Sequence, residues 1–304
     1  SFGSPDTASL TALADHASLM AGWVIAVAAH GPVERLTEVS RAIETTGLPV
    51  FLSRLLDKDD ITHAGDKYYH VIAHGFATDD GAAIDRCRSA IGRPVAGYVF
   101  RILGDDDPAE AIRRAGSLAG ERDAQAIMHL RQSYTLNPAA VSGDELRSAN
   151  RLAAALFSAV MHDNVCVFAD TFADVDRSYF RRTGVVDRRF NPKVGSRVIR
   201  HLYAALNATR DPLSACTFTT DDASVAVIGA RGGNRELALL LPARDMQVGI
   251  IGRSTPCESD TGNVRVIDLD SGTFATVPWI ARGDGKRLEF ESPVGCAGPV
   301  LLEF

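Results

Sequence analysis

The feature that most constrains this chain is a change of texture near residue 211. Before it, short apolar runs rich in β-branched residues alternate with amphipathic stretches of helical length; after it, apolar runs follow at close intervals with Gly and Asp turns between them. The first pattern is that of βα units, whose crossover helices cover a parallel sheet and leave its strands apolar almost throughout. The second is that of an antiparallel sandwich. The early runs lie at 23–29, 49–54, 69–74, 95–102, 125–131 and 165–170. The expected fold is therefore α/β: a (β/α) barrel of the TIM type over residues 1–208, followed by an antiparallel β-sandwich over 209–304. Six runs fall short of the eight strands of a closed barrel, so either two strands lie in segments without a readable pattern or the barrel is incomplete. Its open edges then call for cover from an oligomeric partner or from a missing N-terminal segment.

Helix boundaries carry their own signals. Pro32 opens one amphipathic stretch that Gly47 closes, and Asp107 with Pro108 stands at the cap and first position of another that ends at Gly120. Ser142 and Glu145 have the spacing of a capping box ahead of Leu146, Ala149, Ala153, Leu156 and Val160, which recur at helical period. A last helix is expected over roughly 194–206. Gly229–Gly233 reads as a hairpin turn in the sandwich.

Composition removes several classes of function. The chain has 304 residues with 32 Lys and Arg against 38 Asp and Glu, a net charge of −6, and no basic cluster beyond short pairs. Nucleic acid is therefore excluded as a partner. The apolar stretch Leu19–Ala29 ends at His30 and is too short to span a bilayer, so no membrane association is expected and the protein is read as soluble. The first ten residues lack the basic start and apolar centre of a signal peptide, as a processed or truncated product also would, so the compartment stays open between the cytoplasm and secretion after processing. Five widely spaced cysteines without a CxxC pair read for the most part as reduced, buried thiols, with a bridge among Cys216, Cys257 and Cys296 as the lesser alternative. His63, His70 and His74 lack carboxylates at ligand spacing, so no metal is expected. No phosphate-binding glycine loop is present either, and no cofactor is expected.

Gly184, Val185, Val186 and Asp187, then Pro192 and Lys193, then the helix to Leu206 resemble the end of the barrel in clan-A glycoside hydrolases. The tail at 265–278 and 288–304 is similar to the small sandwich that many of these enzymes carry. The resemblance implies a hydrolase of the O-glycosyl type acting on an oligosaccharide or polysaccharide. It also implies that strand ends supply two catalytic glutamates. Here those ends read His129, Leu130, Arg131, Gln132 and Ser53, Arg54, Leu55, so the family's glutamates are not found. Asp170, Phe172 and Asp174 are similar to the family's Trp-x-Phe-x-Asp, with Asp170 in the place of the Trp.

In parallel barrels the working groups leave the C-terminal ends of the strands. In chain order these are His30, Arg54, His74, Arg101, His129 with Arg131, and Asp170 with Asp174. Hydrolysis of a glycoside normally requires carboxyl groups, so Asp170 and Asp174 are the catalytic candidates, with Asp174 alternatively holding its loop by pairing with Arg177, Arg181 or Arg182. His30, Arg54, His74, Arg101, His129, Arg131 and Tyr179 are the substrate-binding candidates. The Arg and His set suits a uronate, sulfate or phosphate, because guanidinium forks match such groups. Tyr68, Tyr69, Phe76, Tyr134, Phe172, Tyr179 and Phe180 are candidates to stack on sugar rings. Asp187 reads as a turn residue and Asp107 as a cap. The alternatives to an enzyme are a catalytically inactive carbohydrate-binding barrel and a C-terminal fragment of a larger glycosidase.

Overall fold

The computed structural model describes residues 16–27, 34–44, 46–55, 75–131, 144–169, 172–174, 184–207 and 211–304. The chain divides into two compact units, Ser1–Ala140 with Asn164–Phe168, and Val141–Asp163 with Ala169–Phe304.

The first unit is built on a five-stranded parallel sheet of β1 (Trp23–Val27), β2 (Val50–Arg54), β3 (Gly97–Ile102), β4 (Gln125–Leu130) and β5 (Val165–Ala169), in that spatial order. Helices α1 (Glu34–Glu44), α2 (Gly81–Ile91) and α3 (Pro108–Gly120) run between strands. Because spatial order equals chain order, every right-handed crossover advances the sheet in the same direction. Such a sheet winds one way, as in a (β/α) barrel, and has no switch point of the doubly wound kind. The expected α/β class is thus met.

β1 pairs with β2 along its whole length, Trp23 opposite Val50 through Val27 opposite Arg54, and β3 with β4 from Gly97 opposite Gln125 through Ile102 opposite Leu130. Between β2 and β3 the ladder covers Phe51 opposite Gly97 and Leu52 opposite Tyr98. Beyond that point another segment enters. Gly75 N–H donates to Arg54 O (2.8 Å), Phe76 N–H to Val99 O (2.8 Å), and Arg101 N–H to Phe76 O (3.0 Å). The apolar run at 69–74 lies outside the described residues, but the two residues noted here, just after it, sit between β2 and β3. Phe76 is buried, its ring 6.4 Å from that of Phe100. It is a core residue, which corrects its reading as a sugar-facing aromatic.

Asp107 caps α3 as expected, its carboxylate accepting Ala109 N–H at 3.0 Å with Pro108 in the first position. α2 was not among the expected helices, although its signals are plain: Ile84, Cys87 and Ile91 recur at helical spacing and are buried, and Gly92 ends the helix at φ 67°.

The second unit contains α4 (Glu145–Ala159), α5 (Val194–Leu206) and nine strands: β6 (Ser214–Cys216), β7 (Phe218–Thr220), β8 (Val225–Gly232), β9 (Arg235–Pro242), β10 (Met246–Arg253), β11 (Thr261–Asp268), β12 (Phe274–Arg282), β13 (Arg287–Cys296) and β14 (Val300–Glu303). The cap of α4 is Asp144, which accepts Arg147 N–H at 3.0 Å. The helix therefore begins two residues later than a Ser142 cap would have it. A cap at 144 puts the Glu145 carboxylate in the first turn, where the helix dipole favours an anion.

The spatial order of the nine strands is β6, β8, β9, β14, β11, β12, β13, β10, β7. β6 and β7 stand at opposite ends of that order, yet only Thr217 separates them in the chain. One extended segment thus pairs with β8 through its first half and with β10 through its second, which brings the two ends of the sheet together in a nearly closed antiparallel sandwich. Its interior holds Leu240, Leu302, Val264, Leu288, Ile251 and Trp279 among others. The turn between β8 and β9 is Gly233 with Asn234, and Gly229–Gly232 belong to β8, which narrows the expected hairpin turn to two residues.

α4 and α5 pack on each other, and α4 packs on β9. Asn150 Nδ2 donates to Pro242 O (2.7 Å), Arg235 Nη2 to Ala205 O (3.2 Å), and Arg197 pairs with Asp270 (2.6 Å). The five cysteines are free thiols. Cys87 and Cys296 are buried, Cys216 and Cys257 half-buried, and Cys166 exposed, so burial holds for fewer of them than expected. Among the described residues no helix is long and apolar enough to cross a membrane, and no group of three or more His, Cys, Asp and Glu stands together to hold a metal ion.

Candidate functional site

Side chains of a strand alternate between its two faces, and residues paired across a ladder share a face. Tyr98, Phe100 and Ile102 of β3 stand beside Ala126, Met128 and Leu130 of β4, and all six are fully buried. The charges felt by the Tyr98 hydroxyl are those of Arg88 and Asp85 on α2 and of Arg122 just after α3. This is the face that the helices cover. The opposite face carries Val99 and Arg101 of β3 and Ile127 and His129 of β4. Arg101 and His129 are direct partners in the ladder. Arg131 follows on the same side, and its N–H donates to Ile102 O at 2.9 Å.

Arg54 goes to the other face. Leu52 is opposite Tyr98, so Leu52 and, two residues on, Arg54 lie on the helix side. There Arg54 Nη1 meets Asp80 Oδ2 at 2.8 Å, and the same oxygen accepts Ala77 N–H at 3.1 Å ahead of α2. Position at a strand end does not fix the face. A shift of one residue in where the strand ends reverses it.

Arg101 and Arg131 are held differently. Arg101 Nη1 donates to Gly75 O at 2.7 Å, which ties the residues wedged between β2 and β3 to the side chain beside them. Arg131 is 2% exposed and is the bulkiest fully buried side chain among the described residues. A guanidinium keeps its charge in proteins, and burying one is costly without hydrogen-bonding groups around it. Buried Ser53 lies on this face as well, one residue from Leu52. The described part of the strand-end region thus gathers Arg101, His129 and Arg131, and sets Arg54 apart. His30, His74, Asp170 and Tyr179 lie outside the described residues.

No protein-family model matches the chain, and no curated sequence matches it. Three solved structures illustrate what it is similar to. An α-amylase from Lactobacillus plantarum is 12% identical with a TM-score of 0.48 over 98% of this chain and 65% of that one. A glycoside hydrolase family 30 subfamily 8 xylanase from Clostridium acetobutylicum is 11% identical with a TM-score of 0.38 over 99% of this chain and 93% of that one. A family 86 β-porphyranase from Bacteroides plebeius is 11% identical with a TM-score of 0.40 over 93% and 63%. The chain therefore spans less than two thirds of the length of the amylase and of the porphyranase.

Asp174 belongs to the second unit, and its side chain is 6% exposed. Its Oδ1 accepts Gly184 N–H at 2.9 Å, and Lys193 Nζ lies 3.3 Å from both carboxylate oxygens. Backbone bonds bind the same pieces: Asp174 N–H to Val186 O, Val186 N–H to Phe172 O and Lys193 N–H to Val185 O, each 3.0 Å. Gly184 is required by close approach, since a Cβ there would lie 2.5 Å from Asp174 N. Asp187 is the turn residue it was expected to be. Its carboxylate accepts Asn191 Nδ2 (2.8 Å), Asn191 N–H (2.9 Å) and Arg189 N–H (2.7 Å), and the first of these chiefly holds it below the usual carboxylate range. Gly184–Asp187, Pro192 and Lys193, which carried the first part of the sequence resemblance, thus belong to one hydrogen-bonded cluster with Phe172–Asp174. Asp80, the partner of Arg54, was missed together with α2, the helix it precedes.

Proposed function

We propose that the chain is a glycoside-hydrolase-like protein in which Arg101, His129 and Arg131 bind an anionic group of a glycan. The observation that carries this is the placement of Arg101 directly across the ladder from His129, with Arg131 next on the same face, at the C-terminal ends of parallel strands. Two guanidinium forks and an imidazole on one face of the sheet suit a carboxylate or sulfate better than a neutral hydroxyl. The sugar itself comes from the sequence resemblance at 184–206 and 265–304. In this reading Asp170 is the catalytic carboxyl group, and Asp174, tied to Gly184 and Lys193, holds its loop.

A second reading is binding without hydrolysis. It is favoured by how fully the described carboxylates near strand ends are engaged: Asp80 with Arg54, Asp106 with Leu103 N–H, Asp107 with Ala109 N–H and Asp174 with Lys193. One panel of neutral and uronic-acid glycans, scored for both binding and cleavage, separates the readings. Arg101→Lys keeps the charge and loses the fork, so affinity for uronic-acid glycans should fall roughly tenfold while neutral ones are unaffected. Asp170→Asn should abolish cleavage with an unchanged melting temperature. Equal affinity for neutral and acidic glycans sinks the anion site, and binding without cleavage by the unaltered chain selects the second reading.

A further inference from the structure

Two consecutive carbonyls hold Arg101 at both of its ends. Phe76 O accepts its backbone N–H at 3.0 Å, and Gly75 O accepts Nη1 of its guanidinium at 2.7 Å. The first bond belongs to the parallel pairing of Phe76 with Phe100 and is one that any such ladder makes. The second is of another kind, because it brings a main-chain acceptor to the tip of a side chain on the neighbouring strand. An arginine side chain turns about several bonds, and its planar fork matches an anion only when that plane is set. A fixed carbonyl bonded to one nitrogen sets it before any ligand arrives.

Only glycine fits where that carbonyl starts. Gly75 is buried and has φ 129°, a conformation that residues with a side chain rarely adopt. A Cβ there would lie 2.9 Å from Arg101 N, 3.0 Å from Phe100 C and 3.2 Å from Arg101 Cβ. The two nearest of these atoms are main chain and cannot swing aside. From the other direction, Gly75 N–H donates to Arg54 O at 2.8 Å, which pins the residue to β2. The acceptor that meets Arg101 is therefore fixed by two strands at once. A side chain at position 75 must turn this peptide or push β3 away, and either movement takes the carbonyl off Nη1. The consequence falls on the site itself, because Arg101 stands directly across the ladder from His129.

We infer that Gly75 is a positioning residue of the anion site: its carbonyl sets the orientation in which the Arg101 fork meets an acidic group of a glycan. This rests on the anion-binding reading above and adds to it a residue that acts through Arg101 alone. The test is electrophoresis of the full chain through gels containing polygalacturonate, with Gly75→Ala, Arg101→Lys, the two combined, and Gly97→Ala run beside it. Gly75→Ala should weaken the apparent affinity by roughly three- to tenfold, the worth of one hydrogen bond. On top of Arg101→Lys the same substitution should change it by less than about 1.5-fold, because the group through which it acts is gone. Gly97→Ala serves as the control for stability, since a Cβ there would lie 2.6 Å from Gln125 O in the same sheet. It should melt lower than the unaltered chain and bind polygalacturonate as well. A second measurement holds even if Gly75→Ala does not fold. In the nitrogen–proton NMR spectrum of the unaltered chain at low temperature, the Arg101 Nη signals, assigned by their loss in Arg101→Lys, should be resolved from one another, as befits a guanidinium whose rotation is hindered. A single averaged Nη signal overturns the inference, and so does full affinity in Gly75→Ala. Equal losses from Gly75→Ala with and without Arg101→Lys, or a matching loss in Gly97→Ala, make the role of Gly75 structural only; they overturn the inference and leave the anion site standing. No retardation of the unaltered chain, or full retardation of Arg101→Lys, overturns the anion site and this inference with it.

Discussion

The two sheets of this protein deal with their edges in opposite ways. In the second unit the extended segment 214–220 pairs with β8 and then with β10, so the first and last strands of the nine-stranded order are joined through Thr217. In the first unit β1 and β5 stand at the two ends of a sheet that remains open among the described residues. Val24 on β1 is 52% exposed and Phe168 on β5 is 56% exposed, whereas Ser53 and Val99, in the middle of the sheet, are buried. Antiparallel strands can close on a turn of one or two residues. Parallel strands need a crossover for every step and close only when enough βα units accumulate. Closure in the first case is a local matter, and in the second it depends on the whole domain.

The largest effect expected from this comparison concerns how much chain the antiparallel sheet needs. α4 and α5 supply partners to it through Asn150, Ala205 and Arg197. Residues 209–304 expressed alone should therefore aggregate or melt without a cooperative transition. A soluble fragment with a single sharp transition would break the dependence on the helices.

A smaller effect is expected where strands approach most closely. A Cβ on Gly229 would lie 2.4 Å from Cys216 O, and one on Gly97 would lie 2.6 Å from Gln125 O. Gly229→Ala presses on the segment that closes the second sheet, and Gly97→Ala on an interior ladder of the first. Each should cost about 1–3 kcal/mol in denaturant unfolding. The comparison sharpens if the two costs differ, because a strand pinned on both sides of Thr217 has less room to shift than one in an open sheet. No loss for Gly229→Ala would mean that the junction is loose.

The smallest effect belongs to the surface of α3. Hydrogen bonds from Arg113 and Arg114 pull the Glu110 carboxyl down to about 2. A folded-state value below the unfolded one stabilises above the ordinary carboxyl range, and that contribution is lost as pH falls toward 2. The group lies at the solvent-facing surface of the helix, so melting should change little between pH 7 and pH 4 on its account. Its NMR titration midpoint should lie near 2 and rise in Arg113→Ala, and a midpoint near 4 in the unaltered chain would contradict the pairing.

Much of the fold was legible because it follows from local periodicity. The near-continuous apolar runs at 23–29, 49–54, 95–102, 125–131 and 165–170 are strands to within two residues at each end, and Asp107 caps the helix it was expected to cap. α2 was legible too, in the spacing of Ile84, Cys87 and Ile91 before Gly92. The candidate site was legible only in part. The rule that strand ends carry function picked out Arg101, His129 and Arg131 together with Arg54, yet the register of Leu52 with Tyr98 sends Arg54 to the helix side. Nothing in the run Val50–Arg54 states that register.

What the sequence by itself determined is the kind of each element and the change from parallel to antiparallel texture. Both follow from residue patterns a few positions long. Only the tertiary structure decided that Arg101 and His129 face each other, that Asp174 is tied to Lys193, that the strand broken at Thr217 joins the ends of a sheet, and that the Gly75 carbonyl meets Arg101. The physical reason is the same in each case. Pairing register and long-range hydrogen bonds are set by which surfaces can be buried together, and that choice is made by the whole chain and not by any segment of it.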